Sequence, residues 1–161
     1  NPVVHFEMPA ADTKRMAELW EGRSVTAAAA ARVRPDGSRI FAGEDIAVPL
    51  SRVADVLRAI RALGEKYGIQ VVNYGHIGDG NVHTAPVINP EIPEEVEKVM
   101  QLVDEIHLLA IEMEGTTTGE HGVGAVRRKY APLEHGMALE YMKKTKQAFD
   151  PKGIMNPGKL I

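Results

Sequence analysis

A nine-residue stretch, Gly75-His76-Ile77-Gly78-Asp79-Gly80-Asn81-Val82-His83, sits between two β-prone runs, Ile69 to Tyr74 and Val82 to Ile88. Asp-Gly between extended runs favours a two-residue type I′ turn, whose central residues both need positive φ. With Asp79 and Gly80 as those residues, Gly78 faces Asn81, Ile77 faces Val82 and His76 faces His83. Directly opposite residues share a sheet face, with Cβ atoms about 4.5–5.5 Å apart. Two imidazoles at that separation can converge on one ion; the alternative is a polar hairpin with histidines at its base.

Composition narrows the chemistry. The 161 residues include no cysteine, so any metal must use His, Asp or Glu. Hydrophobic content of 44% and charged content of 25% suit one globular domain, and a net charge of −3 gives no basic field for nucleic acid. No apolar run approaches the roughly 20 residues of a membrane span. The five alanines at 27–31 are too short and too weakly apolar for a signal-peptide core. The chain opens on Asn1-Pro2 without a Met, which suggests a fragment cut from a longer protein or a processed terminus.

Val3, Val4 and Phe6 form a β-prone run stopped by Pro9. Asp12 then caps a helix carrying Met16, Leu19 and Trp20, which ends at Gly22 or continues into the alanines. After the Pro35-Asp36-Gly37-Ser38 turn, Ile40–Ala42 and Ile46–Val48 read as strands. Ser51 caps a helix from Arg52 to about Tyr67, striped by Val53, Val56, Leu57, Ile60 and Leu63 and ended by Gly68. Pro93 starts another helix, with Val96, Val99, Met100, Val103, Ile106 or His107, and Ala110 facing the core. His107 reads as structural. A last helix runs from about His135 to Phe149, anchored by Leu139, Met142 and Phe149, with His135 facing solvent. Arg127, Arg128 and Lys129 read as a solvated face. The irregular alternation around a hairpin predicts an α+β fold: an antiparallel, ferredoxin-like sheet covered by helices, with a C-terminal helical segment.

Between the last two long helices lies Gly115-Thr116-Thr117-Thr118-Gly119-Glu120-His121-Gly122-Val123-Gly124. Four glycines in this run build no core, so a functional loop is the favoured reading over a solvated one. His76, His83 and Glu120 form an open ligand set suited to Zn²⁺, Mn²⁺ or Fe²⁺. Neighbours on an extended segment point to opposite sides, so Glu120 and His121 do not share one ion unless the loop bends. Arg23 is either a solvated helix residue or a fork for a carboxylate.

Three motifs, at 75–83, at 119–124 and Phe149-Asp150-Pro151-Lys152-Gly153-Ile154-Met155-Asn156-Pro157-Gly158-Lys159, together resemble the C-terminal domain of FAD-linked oxidases. This family comprises D-lactate dehydrogenases, glycolate oxidase FAD subunits and D-2-hydroxyglutarate dehydrogenases of the vanillyl-alcohol oxidase superfamily. Leu19-Trp20-Glu21-Gly22-Arg23 and Glu44-Asp45-Ile46-Ala47-Val48-Pro49 are similar to it too. The resemblance implies a metal at His76, His83 and Glu120, His121 as proton acceptor, Arg23 on the substrate carboxylate and Asn156 near the flavin. It implies that residues 1–161 are the substrate (cap) and metal-site region, and that the N-terminal FAD-binding domain is absent from this chain, which alone should be inactive. The reaction implied is oxidation of a small D-2-hydroxy acid, D-lactate or glycolate, to the 2-oxo acid. Ala27, Gly43 and Ala85 stand where the D-2-hydroxyglutarate branch has polar contacts, so a second substrate carboxylate is disfavoured.

The partners expected are FAD held mainly elsewhere, a 2-hydroxy acid, and an electron acceptor (quinone, cytochrome or electron-transfer flavoprotein), with a homodimer as an option and no nucleic acid. The expected location is cytoplasmic, or peripheral to a membrane through the acceptor. A free-standing His/Glu metal hydrolase, or a non-catalytic fragment that docks on a flavoprotein, are the alternatives.

Overall fold

A computed structural model describes residues 13–40 and 45–161, apart from the Ala27 side chain. The expectations for Val3 to Asp12, and for part of the strand at 40–42 with Gly43 and Glu44, lie outside the described residues. The helices are α1 Thr13–Ala30, α2 Val53–Tyr67, α3 Pro93–Glu112, α4 Ala131–His135 and α5 Ala138–Phe149. The strands are β1 Ser38–Arg39, β2 Ile46–Ala47, β3 Gln70–Tyr74 and β4 Asn81–Ile88. The architecture is α+β with an antiparallel sheet, as the sequence pattern predicts.

Strand β4 is the spine. It pairs antiparallel with β3 on one side, and with β1 and β2 near its two ends on the other. All eight of its residues are buried. Side chains alternate across a strand. Val82 and Ile88 therefore join the core with Val56 and Ile60 of α2 and Val99, Leu102, Val103, Ile106 and Ala110 of α3. Asn81 and His83 are left on the opposite face. One strand thus divides an apolar core from a polar site.

The hairpin differs from the sequence expectation. Tyr74, not His76, is the partner of His83. Residues Ile77–Asp79 form a single 3₁₀ turn, and Gly80 alone closes it with φ 77°. Asp79 does not have positive φ, so no type I′ turn forms. The amide of Asn81 donates to the His76 carbonyl at 3.2 Å, which holds His76 at the base of a longer loop. A side chain at Gly80 would stand 2.1 Å from the Val48 carbonyl oxygen, so the loop is sealed against the segment after β2.

Other boundaries shift too. Helix α1 continues through the alanines, and α2 is preceded by a 3₁₀ turn at Leu50–Arg52 with no side-chain cap bond from Ser51. The last helix is split: Pro132 sits in the first turn of α4, and Gly136 at φ 51° separates α4 from α5. Leu139 is buried, but Phe149 is 81% exposed and anchors nothing among the described residues. Val96 and Met100 lie on the exposed side of α3, where Leu102 takes the core position.

Candidate functional site

Three elements meet beyond the end of β3. Strand β4 supplies His83, the following loop of the hairpin supplies His76, and the glycine loop supplies Glu120 and His121. Glu120 Oε1 lies 3.1 Å from His76 Nε2, 3.2 Å from His83 Nε2 and 3.6 Å from His121 Nε2. The His83 and His121 rings stack at 5.2 Å with planes 5° apart, and His76 meets His83 edge-on at 5.6 Å. The four side chains of the sequence-derived site therefore converge. His83 is buried, whereas Glu120 and His121 are exposed, so the cluster opens to one side.

The loop bends where an extended segment would have sent Glu120 and His121 apart. The cause is Asp45, a fully buried carboxylate at the start of β2. It accepts from Asn81 Nδ2 at 2.8 Å, from the His121 amide at 2.7 Å, from the Glu120 amide at 3.1 Å and from Thr118 Oγ1 at 3.3 Å. Its backbone carbonyl takes the Gly119 amide at 2.9 Å. Burial works to raise the Asp45 carboxyl pKa, but the bonds from His121, Asn81 and Glu120 outweigh it and hold it below the usual carboxylate range. Gly119 is required here: a Cβ would stand 2.0 Å from Asn81 Nδ2.

Two more anchors fix the loop. Glu134 of α4 accepts from Thr116 Oγ1 and Thr117 Oγ1, each at 2.6 Å, and from the Thr117 amide at 3.0 Å. Burial tends to raise the Glu134 pKa, yet these bonds keep it low. Arg127, expected on a solvated face, is buried instead, and its Nη1 donates to the Gly122 carbonyl at 3.0 Å.

A cavity of about 350 Å³ adjoins the cluster, lined by Arg23, Ser24 and Thr26 of α1 and by Tyr74, Gly75, His76, His83 and Glu120. Arg23 is exposed and stacks over Trp20 at 5.2 Å. Ala85 is fully buried, and Gly43 lies outside the described residues. Asn156 is not in this cavity. It is exposed, at φ 47°, in a tail whose Leu160 amide donates to the Gly124 carbonyl at 2.9 Å, so the tail is tied to the glycine loop. His107 is buried as expected, and His135 is half-buried.

The donor set suits a divalent ion. One ligand atom from each of His76, His83 and Glu120 lies within 4.8 Å of the others. Ligands about 2.1 Å from one tetrahedral ion lie about 3.4 Å apart, close to the nitrogen–oxygen separations seen. Asp45, with His83 and His121, makes a second such group on the Nδ1 side of the rings, at 4.0 and 3.7 Å. Sequence reasoning assigned Asp45 no role. The only signal in the sequence is its place beside the apolar run Ile46-Ala47-Val48, which does not by itself dictate burial.

The fold and this cluster define the class. The chain belongs to the family described as FAD linked oxidases, C-terminal domain, whose model matches residues 2–160. Among curated proteins it is 40% identical over 144 residues to glycolate oxidase subunit GlcD of Bacillus subtilis, covering 89% of this chain and 30% of that protein. It is 35% identical to a probable mitochondrial D-lactate dehydrogenase of Danio rerio, covering 94% of this chain and 30% of the relative. It is 38% identical to the mitochondrial D-lactate dehydrogenase [cytochrome] of Kluyveromyces lactis, covering 94% and 26% respectively. The chain thus spans less than a third of the length of these relatives. Among solved structures, a 4-ethylphenol oxidase from Gulosibacter chungangensis in an isoeugenol complex matches with TM-score 0.61 and 18% identity, over 94% of this chain and 31% of that one. That likeness is one of fold.

Proposed function

We propose that this chain is the substrate- and metal-binding part of an FAD-dependent dehydrogenase that oxidises a small D-2-hydroxy acid, D-lactate or glycolate, to the 2-oxo acid. One observation carries the reading: Glu120 meets three imidazoles, and two of these, His76 and His83, line with Glu120 a cavity that Arg23 also lines. The relatives' names, glycolate oxidase and D-lactate dehydrogenase, support the substrate class. Family membership favours this reading over a free-standing hydrolase or a docking fragment.

The oxidation removes a hydroxyl proton and a hydride from carbon 2. Arg23 pairs with the substrate carboxylate through two parallel N–H donors, which fixes the carbon–hydrogen bond in space. His121 takes the hydroxyl proton at Nε2, since imidazole is the side chain best matched to proton transfer near neutral pH. His76, His83 and Glu120 would hold a Zn²⁺, Mn²⁺ or Fe²⁺ ion, which would polarise the hydroxyl, and FAD held mainly by another domain would supply the hydride acceptor. Buried Ala85 offers no polar group to a second carboxylate, in keeping with a short substrate. Asn156 is carried as a flavin-side residue of the tail. The electron acceptor proposed for the whole enzyme would be a quinone, a cytochrome or an electron-transfer flavoprotein, met in the cytoplasm or at a membrane face. No helix among the described residues is long and apolar enough to cross a membrane.

The test joins this chain to the flavin-binding portion that the family description implies and assays D-lactate, glycolate and D-2-hydroxyglutarate. The expected result is a yellow protein that turns over the first two. Activity should be lost on EDTA treatment and restored by one of the three divalent ions. A yellow protein inert to all three acids, or indifferent to EDTA after exhaustive dialysis, would sink the reading.

A further inference from the structure

We propose, resting on the reading that His76, His83 and Glu120 hold a divalent ion, that Asp45 is the positioning residue that bends the 118–121 segment, so that Glu120 and His121, adjacent in sequence, meet at one point. Four donors converge on its carboxylate: Asn81 Nδ2, Thr118 Oγ1 and the amides of Glu120 and His121. Its own carbonyl holds Gly119. A carboxylate accepts and never donates when ionised, so it alone among small side chains satisfies two amides and an Asn together. Asn at this position would turn an N–H₂ group against one of them. Both of its oxygens are already engaged by these donors, and it is fully buried where Glu120 is exposed.

The same carboxylate faces Nδ1 of His121 at 3.7 Å and Nδ1 of His83 at 4.0 Å. Glu120 lies on the Nε2 side of both rings. Asp45 and Glu120 thus flank both rings from opposite edges, one on the Nδ1 side and one on the Nε2 side. Asn81 completes the clamp, spanning Asp45 and the Ile46 carbonyl at 2.8 and 3.1 Å.

The test compares the intact protein with Asp45→Asn and with Glu134→Gln, which loosens the same loop from its other end. Zn²⁺ affinity, measured by competition with a chromophoric chelator, should fall about 10–100-fold in Asp45→Asn and stay within about threefold in Glu134→Gln. In NMR spectra of the metal-free protein, the Glu120 and His121 amide protons should exchange slowly, and in Asp45→Asn they should exchange as freely as an exposed loop. Unchanged Zn²⁺ affinity in a folded Asp45→Asn, or freely exchanging amides in the wild type, overturns the assignment. Should Asp45→Asn not fold, the wild-type amides decide. A wild type that binds no Zn²⁺ removes the metal reading, and the amides still confirm or overturn the bending role of Asp45.

Discussion

The proposed function gives His83 and His121 different tasks despite their stacked rings. His83 is locked into β4, buried, with Nε2 at 3.2 Å from Glu120, whereas His121 is exposed on the loop with Nε2 at 3.6 Å. The buried imidazole suits a ligand and the accessible one suits a base. In the flavin-loaded enzyme, His121→Asn should lower kcat by about 10²–10⁴-fold while bound metal, read by elemental analysis, is retained. His83→Asn should lose the metal itself. Metal loss in His121→Asn would instead make His121 a ligand. Arg23→Met should raise KM for D-lactate about 10–100-fold, the cost of about 1.5–3 kcal/mol expected for lost charge-assisted bonds. An unchanged KM would return Arg23 to the role of a solvated helix residue.

At the scale of elements, the glycine loop is held at three points: by Glu134 at Thr116 and Thr117, by Asp45 at 118–121 and by Arg127 at Gly122. Gly119→Ala drives a methyl into Asn81 Nδ2 and Asp45 Oδ1, at 2.0 and 2.9 Å. It should destabilise the protein by about 1–3 kcal/mol in urea denaturation and weaken Zn²⁺ binding as well. A stability like that of the wild type would mean the loop has slack that the contacts do not show. The sequence made the helices and β4 legible because apolar spacing at 3.6 or 2.0 residues reports a face directly. The turn at 77–80 was misread because Asp-Gly satisfies several turn types, and the choice fell to the close approach of Gly80 to Val48, a tertiary contact. The site residues were legible through their motifs, but the bend that unites Glu120 with His121 depends on Asp45, 75 residues away in sequence from Glu120. Arg127 is a different case: its partner, the Gly122 carbonyl, is only five residues away, but a backbone acceptor in an irregular loop leaves no mark in the residue pattern.

Across the whole molecule, the pH dependence of stability should show two separable steps. His107 is buried on α3, donates from Nδ1 to the Val103 carbonyl at 2.8 Å and stacks on Tyr130 at 4.3 Å. Burial pushes its pKa below the ordinary value of 6.5. The unfolded imidazole takes up a proton as pH falls through that ordinary value, and the folded one does not. Its contribution is therefore complete above about 6.5 and is lost as pH falls toward the folded pKa, by at most about 1.4 kcal/mol per pH unit. Asp45 and Glu134 have folded pKa values held below their ordinary ones. Their contribution is present above the ordinary carboxylate range and is lost only as pH falls through the lower, folded values. Urea denaturation of the metal-free protein at closely spaced pH values should then show a first decline beginning near pH 6.5 and a second below about 4.5. His107→Phe, which keeps a ring against Tyr130, should erase the first decline and leave the second. Glu134→Gln should leave the first decline and shrink the second, whose remainder belongs to Asp45 and the other carboxylates with lowered pKa values, being less stable than the wild type by about 1.5–3 kcal/mol at pH 7, with the gap closing as pH falls through the folded carboxyl pKa. A first decline that survives His107→Phe would show that the buried imidazole carries no pH dependence of its own.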